Sequence, residues 1–144
     1  MNEKNFIHRY IDYHNQYSKK YGENTVVLIQ TGSHFNVFAV INDELNDGPD
    51  IYHICKNIMN IEVVKQNKKT KEISYKNCLL AGFPVNSIQK YENILLNHNY
   101  TIVIIEQISA PPNPERDVTR IVSPGTIFNE KQDSNFLMSI LKIL

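Results

Sequence analysis

The chain has 144 residues, 42% of them hydrophobic, which suits one globular domain with a buried core and excludes disorder and collagen-like order. Fifteen Lys and Arg balance fifteen Asp and Glu, so no net field draws the chain to nucleic acid or an anionic membrane, and a polyanion has to be gripped locally. Two cysteines cannot build a disulfide framework, and no apolar run has the length of a membrane span or the layout of a signal peptide, so an intracellular, reduced protein with no membrane partner is expected.

Over residues 5–21, Phe6, Tyr10, Tyr13 and Tyr17 recur at helical spacing with Ile7 and Ile11 beside them, and Gly22 offers the stop. Residues 25–31 and 34–41 are β-branched and apolar around Gly32-Ser33, which predicts two strands joined by a tight turn. Side chains alternate along a strand, so Phe35, Val37, Ala39 and Ile41 share one face, and His34, Asn36, Phe38 and Val40 share the other. His34 and Asn36 are then neighbours near the tip of the hairpin. A polar break at 42–48 leads to Pro49-Asp50 and a short amphipathic helix marked by Ile51, Ile54, Cys55 and Ile58.

Residues 61–65 and 72–75 read as strands around a basic turn at 66–71, with 79–84 ending that unit; Lys56, Lys65, Lys68, Lys69 and Lys71 cluster here. Ile88, Tyr91, Ile94 and Leu95 predict a helix over 86–97, closed by Asn99 in the left-handed region. The run at 100–105 has no polar face and reads as a central strand covered on both sides. A stiff loop at 110–114 precedes a strand at 118–122, which Pro124-Gly125 closes. The polar stretch from Glu130 and the apolar end from Phe136 to Leu144 read as the start of a further domain. The expected division is therefore a domain at 1–128 and the beginning of a connector at 129–144, in a chain cut from a longer protein.

Catalytic chemistry finds little support. Zinc needs paired Cys or His ligands at close spacing, and no C-x-x-C or H-x-x-x-H pair exists. A nuclease built on Asp50, Glu62 and Lys65 fails because residues three apart on a strand point to opposite faces. No Gly-rich phosphate loop or nucleophile elbow is present. No catalytic residue, metal site or cofactor is expected within these residues. What remains is the hairpin tip and the lysine-rich turn: lysines can hold phosphates, while a flat ring beside an amide on a protruding edge can stack on a base and bond its rim.

Further along, Ala81-Gly82-Phe83-Pro84, then Tyr91, then Tyr100-Thr101-Ile102-Val103-Ile104-Ile105-Glu106-Gln107, then Arg120-Ile121-Val122-Ser123-Pro124-Gly125-Thr126 stand in order. This succession resembles the N-terminal domain of the MutS family of DNA mismatch-repair proteins, whose pattern is A-G-[VI]-P, a helix, G-Y-x-V-A-[IV]-x-E-Q and R-[IV]-[VL]-[TS]-P-G-T. Gly32-Ser33-His34-Phe35-Asn36-Val37-Phe38 is similar to the family's G-D-F-Y-E-L-F hairpin, and the resemblance covers roughly residues 7–126. It implies an α/β fold with a mixed sheet flanked by helices. In the family the tip Phe enters the minor groove and stacks on a mispaired base while the Glu bonds that base. Wedge insertion of this kind is resisted by a few kcal/mol per intact step, and a mismatch has already lost part of that resistance.

His34 stands where the family has Phe, and Asn36 where it has Glu. The resemblance implies that Ser33, His34 and Asn36 meet DNA, with Lys65, Lys68 and Lys69 on phosphates, and that the partner is duplex DNA carrying mismatches or lesions. For the full-length protein it implies an ATPase using ATP and Mg, a homo- or heterodimer around DNA, and a location in cytoplasm, nucleus or a DNA-containing organelle, with a viral gene as one compatible source. The competing expectation is a degenerate domain that keeps the fold as a structural or protein-interaction module and reads no mismatch.

Overall fold

The computed structural model of the chain describes residues 3–125. The proposed boundary at 128 and the connector at 129–144 lie outside these residues. Helix α1 (Glu3–Tyr21) leads into strand β1 (Thr25–Thr31), and β2 (His34–Ile41) returns antiparallel beside it. A two-residue strand β3 (Asn46–Asp47) pairs with β2, inside the stretch expected to be irregular. After a π-helix (Tyr52–Ile58) come β4 (Val64–Lys65), β5 (Leu79–Pro84), a single 3₁₀ turn (Val85–Ser87), α2 (Ile88–Asn97), β6 (Thr101–Gln107) and β7 (Arg116–Val122).

The strands form one mixed sheet in the order β4-β5-β2-β1-β6-β7, with β3 attached to β2. Among the described strands only β1 and β6 run parallel; the crossover between them carries everything from β2 to α2. The continuous apolar run of β6 is explained by its place between β1 and β7, where Ile102, Val103, Ile104 and Ile105 are all buried.

Helices cover both faces, as the mixed α/β class requires. Phe38 meets Phe6 and Tyr10 of α1 edge-on, with ring centroids 5.7 and 5.4 Å apart. Phe35, three residues earlier and so on the opposite face, meets Phe83, which stacks at 4.3 Å on Tyr91 of α2. The innermost stripe of α1 is Ile7, Tyr10 and Ile11, with Phe6, Tyr13 and Tyr17 flanking it, a rotation of the expected stripe towards its aliphatic residues. The buried Tyr10 hydroxyl is satisfied by donating to the Val27 carbonyl at 2.7 Å. On the other side Glu92 of α2 is buried and paired with Arg120 of β7, which ties that helix to the sheet's far edge.

Two expectations are corrected. The segment at 72–75 is no strand; its ordered feature is a lone bridge between Ser74 and Asn77. The segment 79–84, expected to end a local unit, is an interior strand that pairs with β2 over six residues, from His34 opposite Pro84 to Ala39 opposite Leu79. Gly82 and Pro84 have low strand propensity, and long-range pairing with β2 overrides it. No described helix is long and apolar enough to cross a membrane.

Candidate nucleic-acid interface

The β1–β2 hairpin turns on two residues, Gly32 and Ser33, between the paired Thr31 and His34. Gly32 has φ +65°, and Ser33 is not in the left-handed region, the signature of a type II′ turn whose twist matches the flanking strands. Glycine is required at the first position because any Cβ there is strained.

The turn is held from three sides. Gln107, at the end of β6, accepts the Gly32 N–H through Oε1, and its own backbone N–H donates to Gln30 Oε1 at 2.8 Å. Gln30 Nε2 donates back to the Gly32 carbonyl at 2.9 Å, and the Gln30 carbonyl receives Nε of Arg116 at 2.7 Å. From the β5 side, the Val85 N–H donates to the Ser33 carbonyl at 2.9 Å.

On this turn His34 is exposed. Its Nδ1 lies 3.2 Å from Ser33 Oγ, and its Nε2 has no partner among the described residues. A flat ring with one ring nitrogen engaged and the other open can stack on a base and bond its edge.

Asn36 does not share this presentation, which corrects the expectation that both residues project together. Its side chain lies on the predicted face, but it is 8% exposed. Asn36 Oδ1 accepts the Thr31 hydroxyl, and Nδ2 donates to the Ala81 carbonyl at 3.4 Å. The amide lies over Gly82, directly across the β2–β5 pair, where a Cβ would stand 2.2 Å from Nδ2. The physical reason is that β5 adds a neighbour to this face, and an amide on an interior strand must satisfy itself within the protein.

The lysines are not at the tip. Lys65 sits opposite Leu79 in the β4–β5 pair, five positions along β5 from Pro84, which faces His34. Five strand residues are about 17 Å, with two strand spacings of about 5 Å each across the sheet. Lys65 Nζ donates to the Lys71 carbonyl at 3.4 Å, and Lys68 and Lys69 are exposed on the same turn. Lys65, Lys68 and Lys71 rim an open groove floored by Val63, Val64 and Ile73, with Glu62 and Tyr52 also at its edge.

A cation at the tip end, Arg116, was not singled out from the sequence. Arg116, besides bracing Gln30, places its guanidinium 4.9 Å from the centre of the Phe6 ring. Burial, and secondarily the like charge of Arg9, pushes its pKa below the usual arginine value. The signal that could have located Arg116 is its place at the start of β7, paired with Gln107. No group of three or more His, Cys, Asp or Glu that could hold a metal ion occurs among the described residues. The Cys55 thiol is pushed up to about 12 by burial, which leaves it unreactive at neutral pH.

Residues 11–131 match the family described as MutS domain I. The mutS homolog L359 of Acanthamoeba polyphaga mimivirus is 27% identical over 143 residues, covering 96% of this chain and 12% of that protein. The DNA mismatch repair proteins MutS of Rickettsia rickettsii and Rickettsia prowazekii are each 28% identical over 102 residues, covering 61% of this chain and 11% of theirs. The chain thus spans little more than a tenth of the length of these relatives.

Proposed function

The chain belongs to the MutS domain I family, and from that premise we propose that it probes duplex DNA for mismatched or damaged positions with the tip of the β1–β2 hairpin. The observation that carries this reading is the exposed imidazole of His34 on a type II′ turn whose backbone is braced from β5, β6 and β7. The ring enters the minor groove and stacks where pairing is faulty; Ser33 approaches the same step. Discrimination is mechanical, since an intact step resists unstacking by a few kcal/mol more than a mismatched one.

Asn36 has a different part in this reading from the base contact its position implies. Its oxygen and nitrogen already bond Thr31 and Ala81, so it shapes the ribbon behind the probe. Lys65, Lys68 and Lys69 contact phosphates of the same duplex away from the probed step. In the longer protein, dimerisation around DNA and an ATP- and Mg-dependent cycle would be supplied by other domains.

The test is binding of the chain to short duplexes, matched or carrying one mispair, at low ionic strength. Replacing a stacked ring by Ala costs about 1–3 kcal/mol, so His34→Ala should reduce the preference for the mispair about fivefold or more, with matched duplex bound as before. A specific observation favours a second reading: with Asn36 turned inward and no carboxylate at the tip, the domain would be a scaffold that reads no mismatch. Equal preference in wild type and His34→Ala would establish that reading.

A further inference from the structure

We propose that Gln107 is the positioning residue of the probe: its side chain, 75 residues downstream of the turn, fixes where His34 stands and thereby sets how sharply the tip distinguishes a weakened base step from an intact one. The inference rests on the mismatch-probing reading for its functional half, and on hydrogen bonding alone for its structural half.

A two-residue turn at the end of a ribbon has few bonds of its own, because the flanking ladder stops at Thr31 and His34. Here both polar backbone groups of Gly32 are engaged by glutamine side chains: the N–H by Gln107 Oε1, the carbonyl by Gln30 Nε2. The two glutamines are themselves joined, since the Gln107 N–H bonds Gln30 Oε1, so Gly32, Gln30 and Gln107 form a closed ring of three hydrogen bonds. Arg116, paired with Gln107 in the β6–β7 register, fastens the ring to β7 through the Gln30 carbonyl.

The consequence follows from how a wedge works. A ring pushed against stacked bases is pushed back, and a turn free to pivot yields by bending away from matched and mispaired steps alike. Held at Gly32, the tip transmits that resistance, so the difference between the two steps appears in affinity. Gln107 contributes only an acceptor to the Gly32 bond, which makes its role separable by substitution. Gln107→Glu keeps the acceptor at the same reach; Gln107→Met keeps the length and shape and removes it.

The experiment uses the 144-residue chain and two readouts. Amide exchange at Gly32 reports the bond without DNA, and the ratio of affinities for mispaired and matched duplex reports the probe. A net hydrogen bond of about 0.5–1.5 kcal/mol corresponds to about a 2- to 10-fold effect. Gln107→Met should therefore speed Gly32 exchange and lower the affinity ratio by factors in that range, while Gln107→Glu retains both, whatever its added charge does to affinity in general. Unchanged Gly32 exchange in Gln107→Met would overturn the proposal, as would an unchanged ratio once exchange has risen. If wild type shows no preference for the mispair, the reading of the preceding subsection falls and the functional half with it. Gly32 exchange then still decides the structural half.

Discussion

Gly82 lacks room for a side chain because the amide of Asn36 already fills the space. A Cβ there would lie 2.2 Å from Asn36 Nδ2 and 2.6 Å from the Phe35 carbonyl oxygen, so both must give way. The side chain is the softer of them, and its displacement leaves the Thr31 hydroxyl and the Ala81 carbonyl without their bonds to Asn36. Overpacking and a lost buried polar contact each cost about 1–3 kcal/mol. Gly82→Ala should therefore lower unfolding stability by at least about 1 kcal/mol in urea titrations. Adding Asn36→Ala should recover only part of this, because the backbone oxygen of Phe35 remains. Full recovery would mean that the amide alone excludes the methyl. The alternation of β2 placed Asn36 on the correct face from sequence alone. Its burial was not legible, because it depends on a glycine 46 positions away that only the β2–β5 register brings opposite.

Among the elements, the same contrast separates what local pattern determines from what partners determine. The 3.6 spacing of α1 and of residues 88–97, the Gly32-Ser33 turn and the apolar run of β6 were all readable, since each carries its signal within a dozen residues. Asn99, with φ 65°, closes α2 as its position implied. By contrast β5 holds Gly82 and Pro84, residues that propensity assigns to loops, and becomes a strand because β2 and β4 flank it. The lysine-bearing loop between β4 and β5 is organised by one buried side chain that the sequence did not mark. Asn77 Nδ2 donates to the carbonyls of Thr70 and Glu72, at 3.2 and 2.9 Å, and its Oδ1 accepts the Asn67 N–H at 2.7 Å. Asn77→Ala removes all three bonds and should free the loop, at a cost of about 1–3 kcal/mol for the groups left unpaired. Limited digestion with trypsin provides the measurement: cleavage after Lys68 and Lys69 should accelerate while sites within α1 stay protected. An unaltered digestion pattern would show that the neighbouring backbone holds the loop without Asn77.

At the scale of the whole molecule, the sheet separates the probe from the lysines. His34 stands at the Pro84 end of β5 and Lys65 at its Leu79 end, about 17 Å away along the strand. One duplex can reach both only with its axis running along the strands, so that its backbone passes the lysine turn some five base pairs, at about 3.4 Å each, from the probed step. Contacts so placed meet phosphates whose surroundings are the same whether or not the probed step is mispaired. A chain with zero formal net charge has no general field to substitute for them. Under the proposed function the labour divides: the tip would set preference and the turn would set grip. Replacing both Lys68 and Lys69 by Ala should weaken matched and mispaired duplex equally and reduce the slope of log affinity against log salt by nearly 2, at about 0.9 per phosphate contact. His34→Ala should leave that slope unchanged and alter the ratio. If the lysine variant changes the ratio and not the slope, the duplex does not follow the strands, and the turn lies outside the DNA path.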